Sequence, residues 1–212
     1  MNKQMNFSLN DPRRIAVVFL AVIGMGFSLA FLIRLSWGTD PCSCMNLGIS
    51  SMLGWTFGTY QALFNLCLAV IVFFADRSMF GWGTLANMFL IGYIADFTVW
   101  ASRFWISDAA ILREPVRMIM LLLVLPVFIL SASVYMNGNL GVAPYDAIPM
   151  LISGRTHISY TLIRMGFDFT VCIIGYLTGG SLGPITIAMA LFLGPTVSWV
   201  GRHIEKLIPS GK

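Results

Sequence analysis

Apolar residues run almost without interruption over six stretches of this chain, and polar residues collect between them. The runs cover 15–35, 59–75, 84–104, 116–136, 159–177 and 184–201, each bounded by Gly, Pro or charge. A bilayer core about 30 Å thick needs about 20 helical residues, so each run predicts a membrane-spanning helix. Two further segments, 42–54 and 145–154, are too short to cross and carry polar or small residues. Each follows a break, Gly38-Thr39-Asp40-Pro41 and then Gly141-Val142-Ala143-Pro144. Proline suits the first turn of a helix, where its missing N–H costs nothing. Half-helices are therefore expected to start at Asp40 and Pro41 and at Pro144, either re-entrant or lying at the interface. Irregular backbone at membrane depth is tolerated only where protein covers it or it lines a cavity.

The pattern is written twice. A shift of 103 residues lays Gly38, Pro41, Ile49, Ser50, Phe64 and Ile71 on Gly141, Pro144, Ile152, Ser153, Phe167 and Ile174. After a slip of one residue, Gly81, Thr84, Ala86 and Gly92 fall on Gly183, Thr186, Ala188 and Gly194. Gln61 and Asn65 fall on Arg164 and Asp168. The expectation is an all-α polytopic membrane protein, a single membrane domain over 1–212. It has six transmembrane helices in two homologous three-helix halves, 13–105 and 116–203, each with a short half-helix. Three crossings per half invert the second half; full crossing by the short segments would make the halves parallel. Matched halves with matched breaks and polar positions are how many transporters are built.

Composition agrees with a membrane chain: 58% hydrophobic, 10% charged, mean hydropathy +0.82. A soluble domain carries about 25% charged residues. The net charge of +4 needs no nucleic acid, because basic residues near span ends hold loops in the cytoplasm. With six crossings, and leaving out Arg164 inside a span, Lys and Arg number 8 on one side (Lys3, Arg13, Arg14, Arg77, Arg155, Arg202, Lys206, Lys212) and 4 on the other (Arg34, Arg103, Arg113, Arg117). With the short segments crossing, the tally becomes 10 against 2. Both versions place both termini in the cytoplasm of a bacterial inner membrane. The run after Arg13 and Arg14 lacks a small-residue cleavage site and reads as a retained span rather than a secretory signal.

Gly141-Val142-Ala143-Pro144-Tyr145-Asp146, Arg164 with Asp168, Gly179-Gly180, and Thr186 leading to Gly194-Pro195 stand in this order in the second half. A weaker copy in the first half comprises Pro41, Gly58, Gly81-Trp82-Gly83-Thr84 and Gly92. On these residues the chain resembles the YczE/YyaS/YitT group of bacterial integral membrane proteins, most closely its YczE branch. Asp168 stands where that pattern would have Glu, and Pro184-Ile185 replaces a Gly-rich turn. The resemblance implies a small polytopic inner-membrane protein and adds little about substrate.

Arg164 and Asp168 are four residues apart and share one helix face. A lone charge at mid-bilayer costs about 2.5–3.5 kcal/mol on insertion scales. The pair therefore marks a polar pathway or a structural ion pair. Gln61 and Asn65 hold the equivalent places and line the same cavity or act as interhelical hydrogen-bond glue. Asp40 and Asp146 flank the half-helix starts, as caps or as sites for a cation or proton. Asp96 has no partner near it in sequence; Arg34, Arg103 and Arg164 are candidates, as is a proton-shuttling role. Arg34 and Arg103 sit near span ends, where their stems can snorkel outward. Gly24, Gly26, Gly92, Gly175 and Gly194 suit close helix packing.

No metal site and no cofactor are expected. Cys42-Ser43-Cys44 offers too few ligands for zinc and has no nearby His. Cys67 and Cys172 read as mid-span packing. No HExxH, GxSxG or P-loop occurs, so the chain does not read as an enzyme. The expectation is a transporter or facilitator of a small organic solute, its substrate-binding residues Arg164, Asp168, Asp146, Gln61 and Asn65. Arg164 would receive an anionic group and an acidic residue would carry a coupling proton. The alternative is a non-transporting scaffold that recruits a partner, its buried polar pairs closed on each other. The partners expected are membrane lipid and a small organic solute, with no nucleic acid; homo-oligomerisation and partner proteins stay open.

Overall fold

A computed structural model describes residues 12–204, and their regular structure is entirely helical. The order is α1 (Pro12–Leu35), α2 (Pro41–Leu53), α3 (Phe57–Ala75), α4 (Trp82–Ser102), α5 (Asp108–Ile111), α6 (Glu114–Asn137), α7 (Pro144–Arg155), α8 (Tyr160–Leu177) and α9 (Pro184–Ile204). Six of these, α1, α3, α4, α6, α8 and α9, are long and apolar enough to cross a membrane. Their bounds lie within a few residues of the apolar runs. The runs missed α5, a single turn whose Ala110 N–H is met by the Ser107 hydroxyl. Lys3, Lys206, Lys212 and both chain ends lie outside the described residues.

The short helices do not cross. α2 has 13 residues and α7 has 12, so each reaches about 18–20 Å of a core roughly 30 Å thick. Both start inside the protein, with Pro41, Ser43 and Cys44 buried in α2 and Pro144, Tyr145 and Ala147 buried in α7. Both end outward, α2 at exposed Met52 and Leu53, α7 at exposed Gly154 and Arg155.

Contacts at the helix ends give the directions. Arg14 at the start of α1 donates to the Gly138 carbonyl just past α6 (2.6 Å). Arg117 at the start of α6 donates to the Leu35 carbonyl at the end of α1 (2.7 Å), so α1 and α6 are antiparallel. Arg34 at the end of α1 bonds Ser102 at the end of α4, so these two are parallel. The start of α9 meets the end of α1, because the Ile185 N–H donates to the Trp37 carbonyl (3.1 Å). Gly201 of α9 lies against Asn137, so α9 runs with α6. The described start of α1 and end of α9 thus share one face.

The two breaks dock crosswise, each onto the start of a distant span. In the first, the Thr39 N–H donates to the Thr186 hydroxyl of α9 (3.2 Å), which also accepts from the Gly183 N–H (3.3 Å). In the second, the Gly83 N–H of α4 donates to the Leu140 carbonyl (2.7 Å) and the Thr84 hydroxyl donates to the Val142 carbonyl (3.0 Å). The Gly81 N–H donates to Thr84 in turn (3.2 Å). Gly38 and Gly141 have φ of +102° and +103°, a left-handed backbone that a side chain resists. A Cβ at either would collide with the docking threonine hydroxyl. Ser36 and Asn139, two residues upstream of each, also have positive φ.

Close packing at the predicted glycines is found at all but one. Gly58 and Gly92 pass backbone to backbone where α3 crosses α4, Gly26 faces the Ile91 carbonyl, and Gly175 lies on Cys44 and Met45 of α2. Gly194 is the exception: a Cβ there would meet nothing within 4 Å. It borders the central cavity instead.

Arg34 does not snorkel. Its side chain is 2% exposed. It donates to Asp108 (2.8 and 3.3 Å), the Ser102 hydroxyl (3.0 Å) and the Ile106 carbonyl (2.6 Å), clamping the α4–α6 connection over the end of α1. Nor does Asp96 meet an arginine. It accepts the Gly58 N–H at the start of α3 (2.8 Å), one of the four donors a helix start leaves open.

Gly38→Ala and Gly141→Ala should each lower stability by at least about 1–2 kcal/mol from the left-handed backbone alone. Thermal melts of the purified variants against wild type would read this, and equal melting would refute a packing role for the breaks. Acid should loosen the Arg34 clamp. The hydrogen bond from Arg34, helped by the charges of Arg34 and Arg103, holds the Asp108 carboxyl below the usual carboxylate range. A depressed folded pKa gives stability that is present above the unfolded value, about 3.9, and lost as pH falls through the folded one. Asp108→Asn should flatten that acid limb in melts taken from about pH 6 to pH 3.

Candidate functional site

The starts of α2 and α7 both border one cavity of about 110 Å³. A site that admits a water needs roughly 10–15 Å³ on the same measure, so this one holds several waters or a small solute. Asp40, Gln61, Asn65, Tyr135, Asp146 and Arg164 border it on the polar side. Leu29, Ile91, Phe128, Leu193 and Val197 form an apolar wall.

The second half supplies a compact ion cluster. Arg164 of α8 donates Nε to Asp168 Oδ2 (2.9 Å), one turn further along the same helix, and Nη1 to Asp146 Oδ1 of α7. Tyr145 donates its hydroxyl to the other oxygen of Asp168 (2.6 Å), and its ring lies under the guanidinium, 5.1 Å from Cζ. Side-chain exposure is 18% for Arg164, 17% for Asp146 and 6% for Asp168, so all three are largely removed from solvent. Such a cluster is held by mutual pairing, because each charge alone is costly there.

Asp40 and Asp146 occupy different positions in the two half-helices and do different work. Asp40 is the N-cap of α2, its Oδ1 accepting from the Ser43 N–H (3.1 Å). The cap position of α7 is Ala143, which has no side chain to offer, and Asp146 two residues past Pro144 turns to Arg164 instead. The capping role expected of Asp146 is therefore replaced by an ion pair. Arg164, expected to receive an anion, already serves two carboxylates.

The first half supplies neutral groups with open valences. Gln61 and Asn65 of α3 are 6% and 3% exposed, and Tyr135 of α6 is 2% exposed. Gln61 Oε1, Asn65 Oδ1 and the Tyr135 hydroxyl are buried without a hydrogen-bond partner. Asn65 Nδ2 donates to the Gln61 carbonyl oxygen of its own helix (3.1 Å), which turns Oδ1 away from that bond. A buried polar atom left unpaired costs about 1–3 kcal/mol, so such atoms in native folds call for an account. All five expected site residues are thus brought together, Asp168 behind the cavity and the other four on it.

Sequence reasoning missed Cys42, Asn87, Tyr135, Tyr145 and Tyr160. Tyr145 stood inside the Pro144-Tyr145-Asp146 segment and was the one with a signal. The four cysteines are all free thiols, Cys42 at the cavity and Cys67 exposed on α3. Among the described residues no three of His, Cys, Asp or Glu converge as a metal-binding group.

Six apolar helices and two short helices around a polar pocket define an integral α-helical membrane protein. Residues 12–202 match the family of unknown function DUF6198, and the chain belongs to it. It is 27% identical over 192 residues to an uncharacterized protein of Haemophilus influenzae, covering 89% of this chain and 82% of the relative. It is 26% identical over 178 residues to the uncharacterized membrane protein YczE of Bacillus subtilis, covering 82% of this chain and 78% of the relative. The YczE likeness agrees with the resemblance drawn from the motifs. No solved structure matches.

Removing the guanidinium would strand two buried carboxylates. Arg164→Ala should destabilise by about 3–5 kcal/mol, as breaking a buried pair typically does. Adding Asp146→Asn and Asp168→Asn should recover part of that loss. Unfolding in mixed micelles would read both, and an Arg164→Ala protein as stable as wild type would show that the cluster carries no structural weight.

Proposed function

We propose that the protein is a transporter or facilitator of a small organic solute in the bacterial inner membrane, with both termini in the cytoplasm, and that it is not an enzyme. The observation that carries this reading is the cavity that two half-helix starts border, lined by residues with three buried polar atoms that have no partner. Discontinuous helices meeting at mid-membrane are where secondary transporters hold substrate and coupling ion. The crosswise docking of the two breaks and the opposed directions of α1 and α6 support an inverted-repeat reading of the chain. Each half then contributes one half-helix to the site, and rocking of one half on the other would expose it to alternate sides.

One observation favours a scaffold that recruits a partner: Arg164, Asp146 and Asp168 close on one another. The open valences of Gln61 and Asn65 weigh against it, since a scaffold has no use for an unsatisfied pocket.

Reconstituted into proteoliposomes, the wild type should admit at least one solute from a mixed metabolite pool, read by mass spectrometry of the washed vesicles. Gln61→Leu with Asn65→Leu should abolish that uptake while keeping the gel-filtration profile. Uptake equal to empty vesicles across the pool would overturn the transport reading.

A further inference from the structure

The cavity also says which charge its occupant carries. Two of its bordering carboxylates, Asp40 and Asp146, face a single guanidinium at the cavity, and that guanidinium is shared with a third carboxylate, Asp168. The described side chains at the site therefore carry an excess of negative charge when ionised. The unpaired atoms point the same way. Gln61 Oε1 and Asn65 Oδ1 are carbonyl oxygens, which accept and cannot donate. The Tyr135 hydroxyl can do either. An anion entering here would find its one cationic partner taken. A donor-rich cation would meet the carboxylates of Asp40 and Asp146, beside two amide residues whose oxygens lack a partner.

We propose that the occupant is a small organic cation, a protonated primary amine with a short hydrocarbon body. The ammonium's three N–H groups match the acceptors of Asp40, Gln61 and Asn65. The hydrocarbon fits the apolar lining of Leu29, Ile91, Phe128, Leu193 and Val197. That lining argues for an organic ion over a bare metal ion, which gains nothing from apolar contact and wants oxygen on all sides. The inference rests on the transport reading for its purpose but not for its chemistry, because binding is measurable without flux.

The test is thermal stability of the purified full chain in potassium phosphate, with butylammonium, butyrate, butanol or sodium ion added at matched concentrations. A ligand that binds only the folded state raises its stability by RT ln(1 + [L]/Kd). Butylammonium should raise the melting temperature in a saturable way, and the other three should not. Asp40→Asn keeps a good N-cap for α2 while removing the charge. It should raise the amine concentration needed by about tenfold or more. Gln61→Met, which keeps volume and removes the acceptor, should weaken amine binding and is the second variant should Asp40→Asn melt early. Stabilisation by butyrate, by sodium alone, or by none of the four would overturn the proposal. Amine binding without uptake in vesicles would keep the cation site and sink the transport reading. Uptake of an anionic solute would do the reverse.

Discussion

Backbone that leaves the helix inside a membrane has no water to satisfy it, and the whole arrangement follows from how two such breaks are satisfied. Each break surrenders its N–H and C=O groups to the start of a span that belongs to the other end of the chain: Thr39 to Thr186, and Leu140 and Val142 to Gly83 and Thr84. Threonine is suited to this because one hydroxyl both accepts and donates. Glycine is required because the chain must turn through positive φ beside that hydroxyl. The half-helices can then begin deep in the protein, and both starts border the cavity.

The site divides its labour between the halves. The second half places full charges and pairs them, so Arg164, Asp146, Asp168 and Tyr145 form a rigid cluster. The first half places amides at the matching positions and leaves them unpaired. Positions that the 103-residue shift lays on one another thus do different work, one pair closed into an ion cluster and the other left with unpaired oxygens. A fully charged pair on both helices would have doubled the desolvation burden, which low-dielectric surroundings make severe.

Much of this was legible in the residues. Spans and half-helices followed from the length of apolar runs and the Gly and Pro before them, because bilayer thickness is an external ruler. Arg164 and Asp168 stood out because charge inside an apolar run is conspicuous, and Gln61 and Asn65 because the 103-residue shift lays them on that pair. What stayed hidden depended on rotation and long-range contact. Asp146 was read as a cap or a cation or proton site, and its pairing with Arg164 shows only once α7 and α8 are packed together. Arg34 sits at a span end, where outward snorkelling and inward clamping look alike until Asp108 is seen beneath it. Tyr135 gave no signal because an aromatic near a helix end is ordinary in a membrane chain. Gly194 was read as a packing glycine, although a Cβ there would meet nothing within 4 Å.

The crosswise bonds also impose an order in time. Thr39 finds its partner 147 residues further along the chain. In co-translational insertion the first half enters the membrane before that partner exists, and the Trp37 carbonyl then lacks the Ile185 N–H as well. The earliest break must therefore wait, shielded by lipid headgroups, water or the insertion machinery, until α9 arrives to close it. The last described helix is in this sense the keystone of the first.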